Sequence, residues 1–226
     1  MRLAIITAFW QREEVTREFC EHYRELRDEL AGDVELSLVA AYSEAPDYLA
    51  RVESSGWTTI HAENRPLAAK FNAACQYARE PGTDGVILTG ADDFMDADYV
   101  RWCADQLANG YDLGGATDIY FYRRTTGEAL HWTGYTEGHA RHGEPIGAGR
   151  FMSARMLDRV DWRPWPECGD RGLDGALWQR MKVVHAKTTA ATLAEIGGKL
   201  VDVKDGDNIT DWFALKHAPG TVEVGA

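Results

Sequence analysis

The chain has 226 residues, of which 45% are hydrophobic, and this fits one large globular domain with a core of its own. Its formal net charge of −12 disfavours nonspecific binding to phosphate backbones. The four cysteines form no CxxC pair or zinc-like cluster, and the apolar N-terminus is too short for a signal peptide or membrane span, so we expect a cytoplasmic protein without disulfides or zinc.

The first half of the chain alternates apolar strand patterns with helical ones. This alternation predicts right-handed crossovers and a mostly parallel α/β sheet covered on both faces. Ligands of such sheets bind beyond the carboxyl ends of the strands. The predicted strands are 2–9, 34–42, 57–62 and 85–90, and the predicted helices are 11–30, 46–56, 67–80 and 96–110.

The second half has a different pattern. Residues 112–135 contain two strand-like runs joined by a TTGE turn, which predicts an antiparallel hairpin. Three segments follow, at 146–160, 171–184 and 199–212, and each combines a Gly-rich turn with a short helix or strand. No repeat or linker separates the two halves, so we predict a single domain.

Two adjacent acids, Asp92 and Asp93, stand where the fourth strand should end, at the edge of the sheet that binds ligands. A carboxylate pair there can hold a divalent cation, which in turn holds a diphosphate. The alternative is that one of them caps the next helix. Asp96 and Asp98 are expected to be ordinary acids of that helix's first turn.

Three segments in this order, TAFWQR, RPLAAKFNAACQYA and VILTGADDF, resemble the donor half of family 2 glycosyltransferases and their GT-A relatives. The resemblance implies a GT-A-like α/β fold, that of nucleotide-diphospho-sugar transferases. It would have a mostly parallel central sheet flanked by helices and a smaller antiparallel extension in the second half. One domain would span 1–226, with a nucleotide-sugar-binding half at 1–123 and an acceptor-binding half at 124–226.

The same resemblance implies roles for residues at the donor. Thr7 and the chain around Phe9 would face the nucleotide base, and Asp92 the ribose or the metal. Asp93 would be the main ligand of Mn²⁺ or Mg²⁺, which would bridge the donor diphosphate. The other donor-binding candidates are Arg12, Lys70, Asn72 and Gly149. For Lys70, a solvated helix lysine is an equally good interpretation.

The sequence departs from the family pattern in two places. Gly90 stands where relatives often carry another acid, and YSEAPD stands where they usually carry an Asp after the second strand, with Ser43 or Glu44 as substitutes. Some GT-A enzymes add a late histidine to the metal site. His185 and His217 are candidates, although a lone histidine is more often structural.

The segment ECGDRGLDGALWQRM holds Asp170 and Asp174. The resemblance implies that Asp174 is the general base that deprotonates the acceptor hydroxyl in an inverting transfer. The alternative is a first-turn acid of its helix. Nearby, Gly147 and Gly149 would let the backbone approach the donor sugar and acceptor, while Arg150 would meet the diphosphate or lie on the surface.

The implied function is a metal-dependent glycosyltransferase that moves a sugar from a nucleoside-diphosphate donor, with a UDP-sugar favoured, to an acceptor hydroxyl. Saccharide, lipid-linked and protein acceptors are open. Hydroxymethylated DNA bases are a further candidate, since compact bacteriophage relatives modify them, and the protein would then work in the host cytoplasm. The acidic net charge argues mildly against DNA.

Two other classes stay open. The first is a nucleotidyltransferase on a similar fold, although TAFWQREE lacks the glycine-rich loop that such enzymes carry after the first strand. The second is a non-catalytic module that binds sugars or nucleic acid. No pattern in the sequence indicates a protein partner.

Overall fold

A computed structural model of the chain describes residues 1–43, 49–79, 82–166, 170, 172–205 and 211–224. Its strands are β1 Arg2–Phe9, β2 Glu35–Tyr42, β3 Thr58–His61, β4 Gly85–Leu88, β5 Asp93–Met95, β6 Leu113–Ala116, β7 Ile119–Arg123, β8 Glu128–Trp132, β9 Phe151–Ser153, β10 Thr188–Ala191, β11 Leu200–Lys204 and β12 Thr221–Val224. Its helices are α1 Glu13–Leu30, α2 Leu49–Ser54, α3 Leu67–Tyr77, α4 Ala97–Ala108, α5 Ala154–Asp158, α6 Leu173–Val183, α7 Leu193–Ile196 and α8 Trp212–Lys216.

The larger sheet has the strand order β10-β6-β9-β4-β1-β2-β3. Strands β4, β1, β2 and β3 run parallel, as do β10 and β6, and β9 lies antiparallel between β4 and β6. The predicted mostly parallel sheet is therefore confirmed. The carboxyl ends of β1, β2 and β4 meet at one edge, which is where the predicted donor residues are concentrated.

Two apolar layers cover the larger sheet because the side chains of β1 alternate between its faces. Leu3 and Ile5 pack in a core that includes Phe19 and Tyr23 of α1. Ala4 and Ile6 belong to a core on the other face that includes residues of α3, α5 and α6. The free cysteines Cys20, Cys75 and Cys103 are buried in these layers, and Cys168 lies outside the described residues.

A second sheet has the strand order β12-β8-β7-β11-β5 and is antiparallel except between β7 and β11. The predicted hairpin forms β7 and β8, while the start of the same segment forms β6 of the larger sheet. No pattern in the sequence predicts β5, which directly follows the paired acids. Because β5 pairs with β11, a strand late in the chain lies beside those acids.

The helix that follows begins as expected. The Asp96 side chain caps α4 by accepting a hydrogen bond from the Tyr99 N–H at 3.0 Å. Asp98 lies in the first turn and pairs with Arg101 at 3.0 Å. Asp92 and Asp93 are therefore not the cap of this helix. Among the helices that the structure describes, each is too short or too polar to cross a membrane.

Candidate metal and donor site

Three carboxylates meet where the two sheets join. Asp92 lies in the turn after β4, Asp93 begins β5, and Asp202 is paired with Asp93 in the antiparallel register of β11 and β5. One carboxylate oxygen from each residue lies within 4.8 Å of the other two. An all-oxygen set of this kind suits a hard divalent cation such as Mg²⁺ or Mn²⁺.

The negative charge of this cluster is poorly solvated. Burial raises the pKa of Asp93 well above its usual range, and the charges of Asp202 and Asp92 raise it further. Burial, together with the charge of Asp92, raises the pKa of Asp202 to about 7, against the lowering effect of Lys204. A cation bound between these carboxylates would relieve both the desolvation and the repulsion, so the residues fit a metal ion.

Gly90 closes the turn beneath the acids. Its N–H donates to Asp93 Oδ2 at 2.6 Å. A Cβ atom at this position would lie 2.8 Å from Asp93 Oδ2 and 2.9 Å from Asp92 Oδ1. A residue larger than glycine at position 90 would collide with the two carboxylates in this arrangement, which explains the departure from the family pattern.

Two basic side chains partly neutralise the cluster. Arg12 pairs with Asp92 at 3.0 Å, and it also donates to both carboxylate oxygens of Asp205, at 2.9 and 3.2 Å. Lys204, which is buried, pairs with Asp202 at 2.6 Å. Positive charge thus already lies at the carboxylates.

The contacts of Arg12 follow from a left-handed turn. Gln11 and Arg12 have φ values of 53° and 59°, so the predicted helix at 11–30 begins only at Glu13. Non-glycine residues adopt this conformation rarely. The turn ends β1 and brings the Arg12 guanidinium to the carboxylates.

The side chains of two predicted donor-binding residues, Thr7 and Phe9, are buried in the core. Phe9 is 2% exposed, and its ring packs 5.9 Å from Phe19 and 5.8 Å from Trp57, so it cannot stack on a nucleotide base. Thr7 is fully buried, and within the described residues its hydroxyl has no hydrogen-bond partner. The residues on either side of Phe9, Ala8 and Trp10, do line the cleft described below.

Lys70 is 1% exposed, so the solvated interpretation is wrong. Its ammonium donates to the Phe9 carbonyl at 2.9 Å, to Ser43 Oγ at 2.8 Å and to Asn64 Oδ1 at 3.0 Å. Lys70 therefore anchors the end of β1, and Ser43 is one of its acceptors. Glu44, the other substitute considered for base recognition, lies outside the described residues.

Asn72 also contacts backbone rather than the cleft. Its amide donates to the Trp165 carbonyl at 2.8 Å and accepts from the Trp165 N–H at 3.1 Å. The pair of hydrogen bonds fixes the backbone of Trp165, a residue that lines the cleft. The predicted donor-binding role of Asn72 is thus replaced by a positioning role.

Asp174 lies in the first turn of α6 and is half-buried. Its carboxylate packs directly against Gly147, where a Cβ atom would overlap it. Asp170, the other acid of this segment, accepts from the Leu67 N–H at 2.9 Å at the start of α3. Asp174 therefore keeps its carboxylate at the cleft, while Asp170 is occupied at a helix end.

Arg150 is fully buried and reaches neither the surface nor the carboxylate cluster. It donates to the carbonyls of Ile146 at 2.6 Å, of Asp174 at 3.0 Å and of Pro145. Gly149, with φ of +70°, packs against Tyr99 and does not line the cleft. Of the two predicted glycines, Gly147 lines the cleft.

One cleft of about 1220 Å³ is lined by the carboxylate cluster and by Asp174. It holds the carboxylate cluster and the proposed base in a single space, whereas neither His185 nor His217 belongs to the cluster. Asp202 was not predicted, because its only sequence signal is a charged residue within the alternating strand LVDVK. The lining includes Trp10, Arg12, Phe71, Asp92, Asp93, Tyr135, Gly147, Trp165, Asp174, Asp202 and Lys204.

No protein-family model matches the sequence, and no curated protein matches it. Solved structures are nevertheless similar in fold. S. aureus TarS residues 1–349 in complex with UDP-GlcNAc matches with a TM-score of 0.61 and 13% identity, covering 92% of this chain and 60% of that one. Mycobacterium tuberculosis glucosyl-3-phosphoglycerate synthase, in complex with Mn²⁺, UDP and glucosyl-3-phosphoglycerate, matches with a TM-score of 0.54 and 15% identity, covering 85% and 70%.

These matches, which extend over most of the chain, define the class: the protein has the GT-A fold of nucleotide-diphospho-sugar transferases, as predicted. The chain spans about three fifths of the length of the TarS 1–349 structures that it matches.

The carboxylate cluster generates a pH prediction. With the folded-state pKa values of Asp93 and Asp202 above their ordinary value, the metal-free folded protein binds more protons than the unfolded chain. Its stability should therefore fall as pH rises from about 4 to about 7. Asp93→Asn should unfold at a higher temperature than the wild type at pH 7.5 and lose part of this decline.

Thermal unfolding with and without Mn²⁺ measures both effects. Mn²⁺ should raise the midpoint of the wild type but not that of Asp93→Asn. Asp96→Asn is the matched control, since Asn caps a helix as well as Asp does, and it should behave like the wild type. If the stability of Asp93→Asn falls with rising pH as much as that of the wild type, repulsion among the carboxylates does not destabilise the folded protein.

Asn72→Ala should destabilise the fold by about 1–3 kcal/mol, because it leaves a buried N–H and a buried carbonyl of Trp165 without their partner. Denaturant titration checks this, with Asn109→Ala at the exposed end of α4 as the control. Equal midpoints for the two variants would contradict the positioning role.

Proposed function

We propose that the protein is a metal-dependent glycosyltransferase that moves a sugar from a nucleoside-diphosphate donor to an acceptor hydroxyl. The observation that carries the proposal is the single cleft in which the carboxylate cluster and Asp174 lie together. A UDP-sugar is the favoured donor, since TarS was solved with UDP-GlcNAc and the mycobacterial synthase with UDP and Mn²⁺.

Asp93 and Asp202 are the proposed main ligands of the metal, with Asp92 as the third carboxylate of the cluster. A bound Mn²⁺ or Mg²⁺ supplies Lewis-acid stabilisation of the charge that develops on a departing diphosphate. Arg12 and Lys204 contribute fixed positive charge at the same place. Their ion pairs orient the carboxylates before a ligand arrives.

Asp174 is the proposed general base. Its carboxylate would accept the proton of the acceptor hydroxyl while that oxygen attacks the anomeric carbon and the bond to the diphosphate breaks. One such displacement inverts the anomeric centre and needs no covalent intermediate. Gly147 leaves room for the carboxylate, and Arg150 fixes the peptide that carries it.

The proposed activity is tested by UDP release from UDP-glucose and UDP-GlcNAc in the presence of Mn²⁺, with water as the acceptor. The wild type should release UDP, and Asp93→Ala should not. Asp174→Asn should lower the rate by about 10²–10⁴-fold without changing UDP affinity, since a general base contributes that much and does not bind the nucleotide.

Asp96→Asn serves as the control and should keep the wild-type rate. Absence of turnover with UDP-, GDP-, CMP- and TDP-sugars, with either Mn²⁺ or Mg²⁺, would overturn the proposal. Pyrophosphate release from UTP and a sugar 1-phosphate would instead identify a nucleotidyltransferase.

A further inference from the structure

A second cavity, of about 320 Å³, adjoins the main cleft beside β7, β8 and α8. We call it the aromatic pocket. It shares Phe121, Trp132, Tyr135 and Leu215 with the main cleft, so the two spaces are adjacent. Its volume is near the lower end for ligand pockets and suits one ring rather than an extended chain.

The walls of the aromatic pocket carry little polar chemistry. Of the described residues that line it, none is Asp, Glu, Lys or Arg. The Trp132 indole N–H is already used, because it donates to the Pro219 carbonyl at 3.0 Å. A charged group buried here would lose its hydration and meet only the polar atoms of Tyr135, Thr136 and His139 in return, so the walls favour an uncharged ligand.

The aromatic rings of the pocket are fixed in place. Tyr135 stacks on His139 with ring centroids 4.8 Å apart, and the Arg141 guanidinium lies 4.4 Å from its ring centre. Trp132 meets Tyr135 edge to face at 5.0 Å. Side chains held rigidly in this way lose little conformational entropy when a ligand binds against them.

Tyr135 also connects the pocket to the proposed base. Burial raises the pKa of Tyr135, and the carboxylate of Asp174 adds to this rise against the opposing charge of Arg141. Tyr135 and Asp174 both line the main cleft, so a ligand in the aromatic pocket would adjoin the space that contains the carboxylate that we assign as the base.

We propose that the aromatic pocket binds an uncharged, largely apolar ring of the acceptor molecule, whose hydroxyl reaches Asp174 in the adjoining cleft. This inference rests on the proposed function. An aryl group of a small acceptor and an extruded hydroxymethylated DNA base would both supply a ring. We assign the small acceptor, because DNA would bring phosphates to a protein with a net charge of −12.

Direct binding of two probes tests the pocket without turnover. Phenyl β-D-glucopyranoside and methyl β-D-glucopyranoside differ only in the ring that would enter the pocket. Titration followed by protein NMR should show the phenyl glucoside binding about tenfold tighter or more, from the burial of its ring. Equal affinities would overturn the proposal.

Filling the pocket provides the matched variant. Ala218 lines the aromatic pocket but not the main cleft, so Ala218→Phe should abolish the preference for the phenyl glucoside and leave Mn²⁺-dependent UDP binding unchanged. Ala218→Val should lose part of it, which a folding defect would not mimic. Ala108→Phe, at the exposed end of α4, is the control and should keep the full preference.

Retention of the preference in Ala218→Phe would overturn the assignment. So would tight binding of a hydroxymethylcytosine oligonucleotide that Ala218→Phe abolishes, because it would identify DNA as the occupant. The glycosyltransferase proposal can fail separately. Absence of UDP release together with an intact preference for the phenyl glucoside would overturn the proposed activity but not the proposed ring-binding site.

Discussion

Repulsion among three carboxylates at the junction of the two sheets is the constraint on which the rest of the site depends. Asp93 lies where the chain passes from one sheet to the other, since it follows β4 of the larger sheet and begins β5 of the second sheet. The pairing of β5 with β11 then places Asp202 against it. Such an arrangement costs folding free energy unless positive charge is close, and Arg12 and Lys204 supply part of it.

Three polar side chains shape the cleft without contributing to its surface. Lys70 holds the end of β1, Asn72 holds the backbone of Trp165, and Arg150 holds the peptide of Asp174. Each donates a hydrogen bond to at least one backbone carbonyl. The walls of the cleft are thus fixed before any ligand binds, which is what a site based on positioning and electrostatics needs.

Much of the fold was predictable because apolar periodicity is a local signal. It located β1, α1, β2 and α3, and the position of Asp92 and Asp93 at a strand end located the acidic edge. Strand β5 could not be predicted because its three residues are too few to show a periodicity. Asp202 could not be predicted either, because the pairing of β11 with β5 joins distant parts of the chain. Lys70 and Asn72 were misjudged because sequence does not reveal which polar side chains turn inward to bond backbone.

The proposed activity requires that the carboxylate cluster bind a metal together with the diphosphate of a donor. Anomalous diffraction from crystals grown with UDP and Mn²⁺ measures this directly. We expect one strong manganese peak in contact with carboxylate oxygens of Asp93 and Asp202 and with the diphosphate. Ordered UDP in the cleft with no manganese at these carboxylates would contradict it.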